Sequence, residues 1–243
     1  MGYIRAWFEN DDVLAFFTDR NGGVSADAYK SLNVSSNVGD NIRNIVQNRQ
    51  IIADDNNFLL ENLIYMKQVH SNHVKIIKNS FINEIKECDG IVTSKKKIPL
   101  MTMAADCAPV LLYDRVKKVI AALHSGRVGT KKEIVKNAVK LFEKEFGSNS
   151  KDIAVAIGPS IGVCCYEIGQ DIVDSTDSIY IKEKNKKYYL DIKAMLKDQL
   201  LNAGIKMENI QISDICTSCN KEYFSYRRDG KCGRFCGIIM LKT

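Results

Sequence analysis

Proline is scarce in this chain of 243 residues, occurring only at Pro99, Pro109 and Pro159. That scarcity excludes a proline-rich hinge between domains, and the chain shows no internal repeat, low-complexity tract or linker. No uninterrupted apolar stretch approaches the roughly 20 residues that a membrane helix needs. The first residues, Gly2-Tyr3-Ile4-Arg5-Ala6-Trp7, lack a basic segment followed by a long apolar one, so a signal peptide is not expected. A cytoplasmic protein with no membrane partner is the expectation. The basic runs Lys95-Lys96-Lys97 and Lys184 to Lys187 have no interleaved aromatic platform. The net charge of +6 therefore reads as solvated surface rather than a nucleic-acid footprint, and it mildly attracts anionic small molecules. Histidine is scarcer still relative to its chemical use: only His70, His73 and His124 are available.

What is present is ordinary globular material. Apolar residues make up 45% and charged residues 26%, enough for a sizeable core in a single domain spanning 1–243, expected to be a monomer. Eight cysteines are many for a cytosolic chain. In a reducing compartment they read as thiols or metal ligands before disulfides.

The pattern mixes strands and helices. Strands are expected at 13–18, 63–69, 74–77, 91–93, 100–105, 110–113, 119–123, 153–157, 210–212, 223–226 and 235–241. Asp40 is placed to cap a helix with apolar positions Ile42, Ile45 and Val46. Thr130-Lys131-Lys132-Glu133 has the form of a capping box ahead of a helix burying Ile134, Val135, Ala138, Val139, Leu141 and Phe142, which stops before Gly147. Asp191 opens another helix, through Met195, Leu196 and Leu200 to Gly204. Short strands outnumber helices and alternate irregularly with them. The fold class expected is α+β, a single-domain sandwich of mixed β-sheets flanked by α-helices.

His124 sits where an apolar run meets Ser125-Gly126-Arg127-Val128-Gly129, and Cys107 sits between two apolar runs beside Asp106. His70 lies in a polar loop, three residues before His73. Each has a bland alternative: a histidine that finishes a strand, a buried inert thiol, a loop histidine. Together, two imidazoles and a thiolate make a good zinc set, and three protein ligands leave a fourth position open, as catalytic sites do. A second constellation, Cys216-x-x-Cys219 with Cys232-x-x-x-Cys236, resembles a structural zinc ribbon. Its alternative, and the expectation, is free thiols in the last strands and no second zinc. Arg227 and Arg228, read as neighbours on a strand, point to opposite faces.

The chain resembles the YfiH-type family, also called laccase-domain or multicopper polyphenol oxidoreductase proteins, which includes purine nucleoside phosphorylases and the peptidoglycan editing factor. The resemblance rests on Arg20-Asn21-Gly22-Gly23-Val24-Ser25, Ser31-Leu32-Asn33, Gln68-Val69-His70, Asp89-Gly90-Ile91-Val92-Thr93, Asp106-Cys107 and His124-Ser125-Gly126. It continues through Ile157-Gly158-Pro159-Ser160-Ile161-Gly162, Cys164-Cys165-Tyr166-Glu167-Ile168-Gly169 and Phe224-Ser225-Tyr226-Arg227-Arg228-Asp229. It implies that His70, Cys107 and His124 are both the metal ligands and the catalytic centre, with Zn2+ as cofactor or Cu2+ as an alternative. The family's usual His-Ala-Gly-Trp-Arg-Gly is here His124-Ser125-Gly126-Arg127-Val128-Gly129. Cys219, Cys232 and Cys236 also depart from the family's pattern.

The activity implied is phosphorolysis of adenosine, inosine and methylthioadenosine, with adenosine deamination, the partners being a nucleoside and phosphate. An alternative is an amidase that edits peptidoglycan precursors, using Cys107 or activated water. A copper-dependent polyphenol oxidase ranks below both, because three histidines cannot furnish several copper sites. For the phosphate, donors are expected among Arg20, Arg127 and Arg228, near a helix start after Gly129.

Overall fold

The computed structural model describes residues 2–78 and 82–242. In chain order the first elements are β1 (Tyr3–Arg5), β2 (Val13–Thr18), α1 (Ile42–Asp55), β3 (Ile64–Met66), β4 (Val74–Ile76), β5 (Glu84–Ile85) and β6 (Gly90–Thr93). Next come β7 (Leu100–Ala104), β8 (Ala108–Asp114), β9 (Val119–Ser125), α2 (Arg127–Lys131), α3 (Ile134–Phe146) and β10 (Ile153–Ile157). The last are β11 (Glu167–Ile168), α4 (Gln170–Val173), β12 (Ile181–Lys184), β13 (Lys187–Leu190), α5 (Ile192–Asn202), β14 (Ile210–Ile212), α6 (Tyr226–Asp229) and β15 (Phe235–Leu241).

Two six-stranded mixed sheets face each other. One has the order β1-β2-β15-β7-β3-β5 and the other β14-β10-β8-β9-β6-β4, and a three-stranded sheet, β11-β13-β12, lies apart. Period-two alternation explains why the central strands look uniformly apolar. On β2, Ala15 and Phe17 enter the layer between the sheets, where they meet Leu111, Tyr113, Ile120 and Ala122 of the second sheet. Leu14 and Phe16 point the other way, onto Ile52 and Ala53 of α1. On the far side, Val110, Leu112, Ala121 and Leu123 pack against Ile134, Val135, Ala138 and Phe142 of α3 and Leu196 and Leu200 of α5. The architecture is thus helix, sheet, sheet, helices, an α+β sandwich.

Several local expectations are corrected. Asn41, not Asp40, caps α1 by accepting from the Arg43 amide; Asp40 instead accepts from Ser25 and Asn33 in the neighbouring loop. Of the three apolar positions assigned there, only Ile45 is buried. Thr130 lies inside α2, its hydroxyl bonded to Ser125 Oγ and Gly126 O, while Glu133 precedes α3 without a capping bond. The capping-box spacing is real, but the burial of Thr130 against β9 directs its hydroxyl elsewhere. Residues 223–226 form no strand; Tyr226 begins the short helix α6.

Candidate metal centre

Two of the crossings between the large sheets carry a candidate ligand. The chain leaves β3 in the first sheet, passes His70 and enters β4 in the second; it leaves β7, passes Cys107 and enters β8. His124 stands on β9 between them in register: β6 pairs Gly90 with Leu123, and β8 pairs Ala108 with Ser125. One step beyond those pairs, Asp89 lies beside His124, whose amide donates to the Asp89 carbonyl at 2.7 Å. Cys107 comes alongside Gly126 by the same logic.

Asp89 holds the arrangement together. It is fully buried, and its carboxylate accepts from the consecutive amides of Val69, His70 and Ser71 at 3.2, 3.0 and 2.6 Å and from Ser71 Oγ at 2.8 Å. It also meets His124 Nδ1 at 2.9 Å. These bonds fix His70 in the left-handed region (φ 58°), a strained conformation for a residue with a Cβ. A carboxylate on the second ring nitrogen of a metal-binding histidine sets its tautomer and strengthens its basicity. Burial alone raises the Asp89 pKa, but the bonds from His124 and Ser71 outweigh it and hold the carboxyl down at about 2.

Asp106 does a parallel task for Cys107. It takes a φ of 91° at the turn between β7 and β8, and its carboxylate accepts from Thr217 Oγ1 at 2.7 Å and the Arg227 amide at 2.6 Å. The result is convergence: the donor atoms of His70, Cys107 and His124 all lie within 4.8 Å of one another. Cys107 Sγ is 3.9 Å from His70 Nε2, and the two imidazole rings meet edge to face at 4.9 Å. Burial opposes ionisation of Cys107, yet the His124 charge and bonds from both histidines bring its pKa down to about 6. His124 is pushed the other way, to about 9: burial disfavours its charge, but the Cys107 thiolate and Asp89 favour it more.

The donor set fits a zinc ion, being one thiolate and two imidazoles with one ring already braced by a carboxylate. The space fits too. A Cβ on Gly126 would lie 3.0 Å from both Cys107 Sγ and the His70 ring, so glycine keeps the face of the centre clear. His73 does not join; it is exposed, and its carbonyl instead accepts from Asp89 and Gly90.

The centre opens into a cavity of about 480 Å³, within the range of small-molecule sites. Arg127, Arg227 and Arg234 line it, with Tyr166 and Gln68. Arg20 and Arg228 are not among the lining residues. Arg228 donates to the carbonyls of Thr217, Ser218, Asn220 and Tyr223 and pairs with Asp229. Arg20 donates to Lys30 O, stacks on Phe224 and lies near Asp229. Both act as pegs for backbone. The cysteines also regroup. Cys216 and Cys219 meet Cys164 and Cys165. Cys232 is buried near Arg234, and Cys236 is buried on β15 against Thr18, so the ribbon pairing of 216/219 with 232/236 does not form.

Residues 14–242 match the family described as multi-copper polyphenol oxidoreductase laccase. The chain belongs to this family. Among relatives, this laccase-family protein is 34% identical to purine nucleoside phosphorylase YlmD of Bacillus subtilis, covering 96% of this chain and 90% of that one. It is 36% identical to a purine nucleoside phosphorylase of Clostridium acetobutylicum, covering 97% and 94%. Among solved structures, YlmD from Geobacillus stearothermophilus superposes with a TM-score of 0.94 at 30% identity, covering 100% of this chain and 97% of that one.

The sequence reading gave no role at this candidate site to Arg234, nor to Asp89 and Asp106. The two aspartates had a visible signal: an acid directly before a strand, or directly before the candidate thiol. Arg234 had none, because an isolated arginine near a chain end looks like surface.

Proposed function

We propose that the protein is a metal-dependent purine nucleoside phosphorylase acting on adenosine, inosine and methylthioadenosine, with adenosine deamination as a second activity. The observation that carries the reading is the convergence of His70, Cys107 and His124 at the floor of an arginine-lined cavity. The names of the relatives point to the same reaction class.

Phosphorolysis joins a phosphate oxygen to the sugar carbon as the glycosidic C–N bond breaks, and the purine leaves with the bonding electrons. The chain must therefore hold a dianion beside a neutral nucleoside. Arg127, Arg227 and Arg234 supply cationic donors on the cavity wall, and charge-assisted bonds of this kind contribute about 1.5–3 kcal/mol each. Arg127 stands where the family usually has tryptophan. Tyr166 gives the wall a flat face for a ring, with the Arg227 guanidinium 5.5 Å from its centroid. Asp89 keeps His124 Nδ1 engaged, which turns Nε2 to the centre. His70, Cys107 and His124 would hold a zinc ion, which would supply Lewis-acid chemistry and the activation of water at neutral pH.

The test is metal analysis of the purified protein together with adenine release from adenosine, with and without phosphate. Release that requires both metal and phosphate supports the reading. Release that never depends on phosphate removes the phosphorylase assignment, and hydrolysis of an amide by metal-free protein would move it to Cys107 as a nucleophile.

A further inference from the structure

Four sulfurs gather at a place the reaction does not use. Cys164 and Cys165 lie in the turn that follows β10, and Cys216 and Cys219 in the segment that follows β14. All four donor atoms lie within 4.8 Å of one another. Cys219 Sγ is 3.6 Å from Cys164 Sγ and 3.3 Å from Cys165 Sγ. Four sulfurs around one zinc ion, each at about 2.3 Å, would stand about 3.8 Å apart, so little movement separates this cluster from a tetrahedral shell.

We propose that Cys164, Cys165, Cys216 and Cys219 form a second metal site, a closed tetrathiolate that takes zinc for a structural purpose. Three further observations favour a metal over four unrelated thiols. The Gly162 amide donates to Cys216 Sγ at 3.2 Å, a bond that stabilises a thiolate. Gly162 has no Cβ to crowd the sulfurs; one placed there would lie 3.3 Å from Cys164 Sγ and 3.6 Å from Cys216 Sγ. Four thiolates around a divalent ion leave a net double negative charge, and two cations stand by. Lys193 Nζ is fixed on the carbonyls of Ser213 and Ile215 immediately before Cys216, and Arg227 donates to the carbonyl of Cys165.

The purpose follows from what the two segments carry. Tyr166 directly follows Cys165, and Thr217, between the paired cysteines, donates to the Asp106 carboxylate that positions the turn bearing Cys107. Among the described residues the backbones touch briefly, at the Ser160–Cys216 bridge, through the Thr217 amide on Ser160 O and, nearer the strands, through the Ser213 amide on Ile157 O. A metal at the sulfurs clamps these segments together and so fixes one wall of the cavity. This inference does not rest on which reaction the cavity performs.

The test counts metals. Wild type should hold two equivalents of zinc, and Cys107→Ser should keep one. Replacing that one by Co2+ should give the intense thiolate-to-cobalt absorption of a four-sulfur shell. The Cys164→Ser/Cys219→Ser variant should keep only the equivalent at the histidine centre. Should that variant fail to fold, wild type still decides: added zinc should protect the peptides carrying these four cysteines from alkylation, and chelation should expose them. A Cys107→Ser protein with no metal, alkylation of the four thiols at one rate with or without zinc, or a disulfide among them in non-reducing peptide maps would each overturn the proposal.

Discussion

The two clusters of soft ligands in this molecule differ in closure. His70, Cys107 and His124 present three donors to a cavity and leave a fourth direction to solvent and substrate. Cys164, Cys165, Cys216 and Cys219 present four donors to one another. The first cluster is braced from behind by a buried carboxylate, the second by the Gly162 amide and by cations on neighbouring carbonyls. Open three-donor sites do chemistry and closed four-donor sites hold structure, so the contrast divides the work. On the proposed reading, the centre on these crossings would react and the cluster beyond the strand ends would shape the wall. A glycine clears the sulfurs in both places, Gly126 in one and Gly162 in the other.

The sharpest way to break this division is Cys107→Ser, which keeps the size of the side chain and removes the soft ligand. Activity should fall to background while the far-ultraviolet circular dichroism and the thermal midpoint in metal-free buffer stay near wild type. Full activity in metal-depleted Cys107→Ser protein would sink the idea that the open centre does the chemistry.

Asp89→Asn should be next in size. Losing a carboxylate behind a metal-binding histidine costs about 10–100-fold in metal affinity or activity, and competition with a zinc chelator measures the affinity part. The same substitution should reshape the acid limb of stability. A folded pKa of about 2, below its unfolded value, contributes stability that is complete above about pH 4 and is lost as the pH falls towards 2. Denaturant midpoints should therefore drop over that window in wild type and change less in Asp89→Asn.

Arg127→Met should raise the apparent KM for phosphate by about tenfold, in line with one lost charge-assisted bond, and leave deamination nearly untouched, since water replaces phosphate there. Arg228→Met should instead lower stability, because its guanidinium holds four carbonyls. If Arg228→Met changes phosphate dependence and Arg127→Met does not, the anion is held near Arg228 rather than on the Arg127 wall of the cavity.

The smallest effect is a proton count. In the metal-free protein between about pH 6 and 9, Cys107 is a thiolate and His124 an imidazolium. Loading a metal demands neutral imidazole, so this pair should release about one proton across that window. Below it Cys107 adds a second, and above it the release from the pair fades. Calorimetry of zinc binding in buffers of different ionisation heat reads the number directly.

Much of this was legible in the residues, for physical reasons. Apolar runs such as Val119 to Leu123 announce strands buried on both faces, and histidine scarcity singled out His70 and His124. What failed were inferences from local spacing where tertiary contacts decide. Thr130 and Glu133 stand at capping-box distance, yet Thr130 is spent on β9. Strand parity puts Arg227 and Arg228 on opposite faces, but α6 is a helical turn, so their faces follow a different period. Cys216 and Cys219 found partners about 50 residues upstream rather than the nearer Cys232 and Cys236, because β10 and β14 run in parallel and deliver their following segments to the same end. Connectivity among cysteines is a property of the fold, and spacing alone does not contain it.

The placement of His70 and Cys107 on two of the crossings between sheets would make the thermodynamics of folding a function of the medium once a metal binds there. A metal bound there touches both strand-to-strand passages and β9, and these donors are scattered in the unfolded chain. Mass action then adds to the folded state about 2.7 kcal/mol when free zinc exceeds its dissociation constant a hundredfold. For a chain of this size that is about 5–11 °C in thermal midpoint. Preparations stripped by affinity-column chelators and preparations left loaded would thus melt as if they were different proteins, and a melting temperature has meaning here only alongside a stated free-metal concentration.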